Sequence, residues 1–178
     1  MTAGRRAVFL DRDGTIIEDV GYPREARQVH LLEGAAGALR SLRDAGFQLV
    51  IVGNQSGIGR GLVTEAQARA VHERLVAELT RRGVALDAVK YCPHAPWEHC
   101  RCRKPSPDML LAAGHELGVE MPASYMVGDK PSDIEAGRRA GCRTVFFARD
   151  GGAHDTADHV ATSWRDVVGF ISGAAAAA

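Results

Sequence analysis

The chain has 178 residues, of which 46% are apolar and 25% charged, and its formal net charge is zero. This length and composition predict a single globular domain over residues 1–178. Zero net charge gives no general attraction to nucleic acid or to an anionic membrane, so we expect neither as a partner. No apolar run is long enough to cross a bilayer, and no signal-type segment precedes the first core strand. We therefore expect a cytoplasmic monomer that acts on a small molecule.

Hydrophobic periodicity predicts strands and helices that alternate along the chain. The predicted strands cover 7–10, 47–52, 86–91, 123–127, 144–148 and 159–161. The predicted helices cover 34–45, 64–82, 106–117, 132–141 and 164–171. A capping box of Thr64 and Gln67 marks the start of the second helix. The alanine-rich tail, 173–178, is predicted to be disordered.

The alternation of strands and helices determines the predicted architecture. It implies a parallel central sheet covered by helices on both faces, which is a three-layer, Rossmann-like α/β fold. Right-handed crossovers bring the carboxyl ends of the strands to one edge of that sheet. Each interval between the predicted strands holds about one helix, so we expect no separate cap domain and an open site.

Polar side chains follow three of the predicted strands. Asp11 and Asp13 close the first strand, Asn54 follows the second, and Asp129 follows a later one. Side chains two residues apart in an extended chain share a face, so Asp11 and Asp13 can point into one site. Three carboxylates at one sheet edge repel one another unless a cation neutralises them. Oxygen ligands favour Mg²⁺, which commonly also binds substrate phosphate.

Cationic and amide groups accompany these acids. Lys104, Lys130 and the backbone of the turn at 54–57 suit a dianionic phosphoryl group. Asp11 can attack phosphorus, while Asp13, expected to be free of an ion pair, protonates the leaving oxygen and later takes a proton from water. The pattern therefore predicts phosphate-ester hydrolysis through an aspartyl-phosphate.

A cysteine-rich loop, 92–102, indicates a second metal. Its candidate ligands are Cys92, His94, Cys100 and Cys102. Three thiolates and one imidazole close a tetrahedral zinc shell with no open position, which is typical of a structural site. A disulfide or incidental surface cysteines are the alternatives. His99 is a competing imidazole, although its neighbour Cys100 makes simultaneous ligation awkward. A bound zinc would order the loop and fix Arg103 and Lys104 behind it.

The segments VFLDRDGT, VGNQSG, CRKP and MVGDKPSD resemble the four motifs of the haloacid dehalogenase (HAD) phosphatases, in order and spacing. Within that superfamily they are most similar to the D-glycero-D-manno-heptose-1,7-bisphosphate 7-phosphatase family, with histidinol-phosphate phosphatases as near relatives. The resemblance implies the HAD fold and Mg²⁺-dependent hydrolysis of the 7-phosphate of the heptose bisphosphate. Histidinol phosphate or another small sugar phosphate is the alternative substrate.

The resemblance also implies roles for individual residues. Asp11 would be the nucleophile and Asp13 the general acid and base. Mg²⁺ would be held by the Asp11 carboxylate, the Asp13 backbone carbonyl and Asp129, and Lys104 would steady the phosphoryl group. His94 is favoured over His99 as the zinc ligand. The implied substrate-binding residues are Asp19, Val20, Gly21, Tyr22, Gly53, Asn54, Gln55, Ser56, Arg103 and Lys130.

The second motif departs from the family pattern at Gly53, where a Thr or Ser normally donates a hydrogen bond to the phosphoryl oxygen. Either the Asn54 amide and the Ser56 hydroxyl compensate, or turnover is slower. Loss of one such donor costs about 2.7–4 kcal/mol at worst. We expect Gly53→Thr to leave kcat unchanged or to raise it.

Two interpretations outside hydrolysis stay open at this point. A phospho-accepting receiver domain also places acids and a lysine at strand ends, but its acceptor Asp follows the third strand, where this chain has Cys92. A zinc-stabilised interaction module with an inactive site is the other, and the missing hydroxyl at Gly53 favours it.

Overall fold

A computed structural model of the protein describes residues 4–176. Within that range, six strands alternate with helices. The strands are β1 (Arg6–Leu10), β2 (Phe47–Asn54), β3 (Ala88–Cys92), β4 (Tyr125–Gly128), β5 (Arg143–Phe147) and β6 (His159–Ala161). The α-helices are α1 (Ala35–Asp44), α2 (Ser56–Gly59), α3 (Glu65–Arg81), α4 (Asp108–Leu117), α5 (Pro131–Ala140) and α6 (Trp164–Ala176). No helix of the described chain is long and apolar enough to cross a membrane.

All six strands form one parallel sheet in the order β3-β2-β1-β4-β5-β6. The first strand is central, with Val8 paired to Leu49 on one side and to Tyr125 on the other. Parallel neighbours require crossover connections. Helices on both faces of the sheet provide them except between β5 and β6, which residues 148–158 connect without a helix. The predicted α/β fold class is confirmed, and residues 4–176 contain no separate cap domain.

Alternation along the strands divides the core into two layers. Val8 and Leu10 of β1 pack with α1, α3 and α6 on one face of the sheet. Ala7 and Phe9 pack with α4 and α5 on the other. Successive side chains of a strand point to opposite faces, so a strand buried on both sides reads as the continuous apolar run seen in the sequence.

Most observed boundaries lie within two residues of the predicted ones, and the largest difference is at the end of α6. Strand β2 continues to Asn54 because Gly53 and Asn54 pair with Tyr91 and Cys92 of β3. The prediction of a disordered tail from residue 173 is wrong as far as Ala176, where α6 ends. Alanine has the highest helix propensity, so the run of alanines prolongs the helix. Residues 177 and 178 of that tail lie outside the described residues.

Candidate active site

Three carboxylates meet at the carboxyl edge of the sheet. Asp11 continues β1, and its backbone N–H donates to the Val127 carbonyl at 2.9 Å. Asp129 follows β4, and Asp133 lies in the first turn of α5. One oxygen from each of these three carboxylates lies within 4.8 Å of the others. The crossover topology thus brings together acids that are more than a hundred residues apart in the chain.

The turn after the first strand requires glycine. Gly14 has a φ of +82°, a backbone conformation that residues with a side chain rarely adopt. A Cβ at this position would lie 2.7 Å from the Asp129 carboxyl carbon. The next residue, Thr15, donates its hydroxyl to Asp129 at 3.3 Å. The chain can pass this close to Asp129 only because residue 14 has no side chain.

Lys104 lies at the centre of this group of acids and is 3% exposed. Its ammonium contacts the Asp11 carboxylate at 2.6 Å, the Asp133 carboxylate at 2.7 Å and the Val52 carbonyl at 2.7 Å. All three ammonium donors are therefore used. Burial alone would lower the pKa of Lys104, but the two carboxylates outweigh it and hold the pKa above its usual value.

The other two acids of the cluster, Asp129 and Asp133, have raised pKa values. Burial, and then the Asp11 carboxylate, raise the pKa of Asp129 to about 7. Burial also raises the pKa of Asp133 to about 6, although Lys104 opposes this shift. A cluster of carboxylates whose pKa values are raised first by burial and then by repulsion from Asp11 fits a hard divalent cation. Sequence reasoning missed Asp133. The available signal was its place four residues after Asp129, in the first turn of the helix predicted to follow.

Asp13 is not free of an ion pair, so that prediction is wrong. The Arg12 guanidinium, only 2% exposed, folds back onto Asp13 with Nε–Oδ2 at 3.1 Å and Nη2–Oδ1 at 3.0 Å. The Gln55 amide donates to Asp13 at 2.9 Å and accepts from Arg12 at 2.8 Å. The Tyr91 ring lies 5.4 Å from the guanidinium carbon. Arg12 and Gln55 thus fix the direction of the Asp13 carboxylate.

Asn54 makes a different set of contacts. Its carbonyl oxygen accepts from the Lys104 backbone N–H at 3.0 Å, and its amide donates to the Lys104 carbonyl at 3.1 Å. Both polar ends of this side chain therefore face the protein backbone.

A cavity of about 300 Å³ opens beside these groups. It is lined by Asp13, Asp19, Gly21, Tyr22, Asn54, Gln55, Ser56, Arg103, Lys130 and Ser132. Most residues that the sequence predicts to bind substrate are therefore brought together. Val20 instead lines a neighbouring cavity of about 510 Å³ on the other side of Asp19. Gly53 lies behind the cavity wall, against the Tyr91 ring.

The cavity has a cationic side. Lys130 pairs with Asp19 at 3.1 Å across the opening. The Nη1 atom of Arg103 is buried and has no hydrogen-bond partner within residues 4–176. A buried guanidinium donor without a partner is costly, and an anionic ligand would satisfy it.

The cysteine-rich loop forms a closed cluster of four donor atoms. The Sγ–Sγ distance is 3.5 Å for Cys92–Cys100 and 3.7 Å for Cys100–Cys102. His94 Nδ1 lies 3.6 Å from the Cys92 sulfur and 3.3 Å from the Cys102 sulfur. A tetrahedral site with metal–sulfur bonds of about 2.3 Å has sulfur–sulfur edges of roughly 3.8 Å. The cluster therefore has the size and donor chemistry that zinc requires, and it includes His94 and not His99.

This loop also contacts the turn at the end of β2. The Gln55 N–H donates to the Cys92 carbonyl at 2.7 Å, and the Gly59 N–H donates to the Pro93 carbonyl at 2.8 Å. The Arg60 guanidinium stacks on the Trp97 ring at 5.0 Å. The cluster is therefore attached both to Lys104, which follows it in sequence, and to the turn that carries Asn54 and Gln55.

Comparison with known proteins agrees with this geometry. Residues 101–168 match the family model Hydrolase_like, described as HAD-hydrolase-like. The D-glycero-beta-D-manno-heptose-1,7-bisphosphate 7-phosphatase of Yersinia pestis is 43% identical over 171 residues, which is 92% of this chain and 91% of the relative. The enzyme of the same name from Escherichia coli K12 is 44% identical over 173 residues, which is 90% of this chain and 91% of the relative.

A solved structure is similar over the whole fold. The crystal structure of D,D-heptose 1.7-bisphosphate phosphatase from B. bronchiseptica, complexed with magnesium and phosphate, superposes with a TM-score of 0.85 at 28% identity. The match covers 96% of this chain and 99% of the other.

Proposed function

Because the chain belongs to the D-glycero-beta-D-manno-heptose-1,7-bisphosphate 7-phosphatase family, we propose that it hydrolyses the 7-phosphate of that sugar bisphosphate. The enzyme is a phosphoric monoester hydrolase of the HAD type. One observation carries the proposal: the Asp11 carboxylate lies 2.6 Å from the buried Lys104 ammonium, beside two further acids and next to the cavity.

Asp11 is the proposed nucleophile. A carboxylate oxygen of Asp11 forms a bond to phosphorus while the ester P–O bond breaks, which gives an aspartyl-phosphate. Lys104 contacts Asp11 and is held by Asp133, so its ammonium remains close to the phosphoryl oxygens throughout the step. A fixed cation in a buried site stabilises the developing charge more than it would in water.

Asp13 is the proposed acid and base. The leaving alkoxide takes a proton from Asp13, and in the second half-reaction Asp13 takes one from the water that attacks the aspartyl-phosphate. The Arg12 guanidinium and the Gln55 amide hold the Asp13 side chain in one direction for both proton transfers. The proton taken from water is then the one given to the next leaving group.

Mg²⁺ is the proposed catalytic ion, and the relative from B. bronchiseptica was crystallised with it. Asp11, Asp129 and the Asp13 carbonyl would hold the ion, with Asp133 the nearest further acid. When bound, it neutralises the acid cluster and draws charge from the phosphoryl oxygens.

Arg103 and Lys130 are proposed to contact the sugar end of the substrate. Both line the cavity, and the free Arg103 Nη1 suits an anionic or hydroxyl-rich ligand. The loop of Asp19, Gly21 and Tyr22 closes the cavity opposite Ser56 and supports the same assignment.

Zinc is the proposed structural ion of the Cys92–Cys102 loop. The donor set is closed and lies away from the acid cluster, so the ion would organise the loop instead of taking part in the reaction. In doing so it would hold Arg103 and Lys104 in register with the cavity.

The test is an isosteric change at the nucleophile. Asp11→Asn should reduce kcat for phosphate release from D-glycero-D-manno-heptose 1,7-bisphosphate in Mg²⁺ by several orders of magnitude, because an amide cannot attack phosphorus. Asp44→Asn, at an exposed position at the end of α1, is the matched control and should keep wild-type kcat. Wild-type turnover by Asp11→Asn, or a higher kcat/KM for histidinol phosphate in the unaltered enzyme, would contradict the proposal.

A further inference from the structure

Asn54 makes a paired contact with the backbone of Lys104. Its Oδ1 accepts from the Lys104 N–H at 3.0 Å, and its Nδ2 donates to the Lys104 carbonyl at 3.1 Å. The Asn54 carboxamide thereby pairs with both the N–H and the C=O of one residue, Lys104. This is the arrangement by which one peptide group pairs with another in a sheet.

Lys104 needs such an anchor because of where it lies. It belongs to an irregular segment between the cysteine cluster and α4, so no strand or helix fixes its backbone. Its side chain nevertheless reaches three buried acceptors at 2.6–2.7 Å. A backbone shift of about 1 Å at Lys104 would break those contacts, and errors of that size at a reacting group cost roughly 10²-fold in rate.

Asn54 belongs to the central sheet. It is the last residue of β2 and is paired with Cys92 of β3. Strand β2 lies next to β1, which carries Asp11. The Asn54 side chain therefore holds the Lys104 backbone at a fixed position relative to Asp11, although Asn54 and Lys104 are fifty residues apart in sequence.

We propose that Asn54 is a positioning residue that acts through Lys104 and does not contact the substrate. The inference rests on the proposed phosphatase function and replaces the substrate-binding role that the family resemblance implies for Asn54. It predicts that removing the Asn54 side chain weakens only what Lys104 contributes.

The adjacent amide provides a contrast. Gln55 bonds Arg12 and Asp13, and its side chain has no hydrogen bond to Lys104 among the described residues. Changes at Gln55 should therefore act on the acid and base group and not on the lysine. Gln55→Ala is the matched control for Asn54→Ala.

The experiment is a double-mutant cycle on the full-length enzyme in Mg²⁺ and zinc. Asn54→Ala should lower kcat/KM about 10- to 100-fold in the otherwise unaltered enzyme. In a Lys104→Ala background the same change should alter kcat/KM by less than about twofold, because the group that it positions is already gone. Gln55→Ala should keep its full effect in that background.

The effect should also be independent of the leaving group. Asn54→Ala should lower kcat/KM by the same factor for the heptose bisphosphate and for p-nitrophenyl phosphate, since Lys104 contacts only the phosphoryl end in either ester. A loss restricted to the sugar substrate, or a loss that persists undiminished in the Lys104→Ala background, would overturn the inference.

A third measurement does not depend on activity. Hydrogen exchange of the Lys104 amide should accelerate at least about tenfold in Asn54→Ala, since its acceptor is lost, and should be unchanged in Gln55→Ala. Asn54→Asp, which keeps the acceptor, should retain the protection. If Asn54→Ala does not fold, Asn54→Ser, whose shorter side chain cannot reach both backbone groups of Lys104, replaces it in the cycle. Unchanged exchange of the Lys104 amide in Asn54→Ala would refute this inference. A wild-type enzyme that released no phosphate would refute the proposed function, and the exchange measurement would still test the Asn54 contact.

Discussion

At position 53, the packing of a neighbouring ring accounts for the missing side chain. A Cβ on Gly53 would lie 3.0 Å and 3.1 Å from two carbons of the Tyr91 ring, directly across the β2–β3 ladder. Gly53 does not have a positive φ, so the backbone itself would accept another residue. The Tyr91 ring in turn supports Arg12, which holds Asp13. Gly53 therefore leaves room for the Tyr91 ring, which supports the Arg12 guanidinium beside Asp13.

Gly53→Thr should lower the free energy of unfolding by about 1–3 kcal/mol, because the Tyr91 ring must move to admit the new side chain. The measurement is urea denaturation of wild type, Gly53→Thr and Gly53→Thr with Tyr91→Leu. The double variant should be less destabilised than the sum of the two single changes, since leucine vacates the contested space. Strict additivity would contradict this explanation. The expectation that kcat is unchanged or raised stays a prediction.

Arg12 and Asp133 show what sequence reasoning cannot see at the residue scale. Asp13 looked unpaired because its partner is the adjacent residue in a strand end, where successive side chains normally point to opposite faces. The turn at Gly14 ends that alternation and lets Arg12 fold back. Asp133 looked like an ordinary acid in the first turn of a helix, and the structure adds its contact with Lys104 and its place in the acid cluster.

At the scale of elements, the short helix α2 and the cysteine-rich loop depend on each other. Gly59 ends α2 and donates to the Pro93 carbonyl. A Cβ at Gly59 would lie less than 3.0 Å from backbone atoms of His94 and Ala95. Backbone atoms cannot move aside as the end of a long side chain can. Close packing of the loop against α2 therefore needs glycine at this position.

Gly59→Ala should push the loop away from α2 and weaken zinc retention by roughly 10-fold or more. The measurement is the rate of zinc release to a chelator, together with KM for the sugar bisphosphate, which should rise as Arg103 loses its position. Gly37→Ala on α1, where nothing lies within 4 Å of the added carbon, is the matched control and should be neutral or slightly stabilising. Equal zinc release from both variants would show that α2 does not support the loop.

At the scale of the whole molecule, the fold brings a concentration of negative charge to one sheet edge. Trp164 of α6 shows how far the support for that edge extends, because its buried indole donates to the Thr15 carbonyl at 3.1 Å. Helix α6 on one face of the sheet and helix α5, which carries Asp133, on the other therefore support an edge where acids that repel one another meet. Folding does work against this repulsion unless a proton or a cation relieves it.

The burial of these acids, together with their repulsion, predicts how stability depends on pH. Folding raises the pKa of Asp129 from 3.8 to about 7 and that of Asp133 from 3.8 to about 6, so the folded state binds more protons than the unfolded state between those values. Stability contributed by these groups is then full at low pH and is lost as pH rises through about 7. Without metal, the melting temperature should be lower at about pH 8 than at about pH 5.5.

Magnesium should offset the loss of stability at high pH. Added Mg²⁺ should raise the melting temperature by several degrees at about pH 8 and by less at about pH 5.5, where protons compete for the same oxygens. The measurement is thermal unfolding with EDTA and with Mg²⁺ at both pH values. Asp129→Asn, the control, should be more stable than wild type in EDTA at the higher pH and should respond weakly to Mg²⁺. An equal response to Mg²⁺ at both pH values would contradict the interpretation.

The sequence by itself determined the features that depend on local chain chemistry. Alternating strands and helices, the acids at the strand ends and the cysteine-rich loop can be predicted because periodicity and covalent spacing act over a few residues. The convergence of Asp11 and Asp129 also followed, since parallel crossovers allow few topologies. The family motifs then specified a phosphatase.

Only the tertiary structure decided which side chain contacts which. The pairs Asn54–Lys104, Lys104–Asp133 and Arg12–Asp13 depend on rotamers and on packing between distant segments. Energies of this kind have no periodic signature in the sequence, and they differ by about 1 kcal/mol between alternatives. For that reason the sequence predicted which residues lie near the site, whereas the fold determined which of them contact one another.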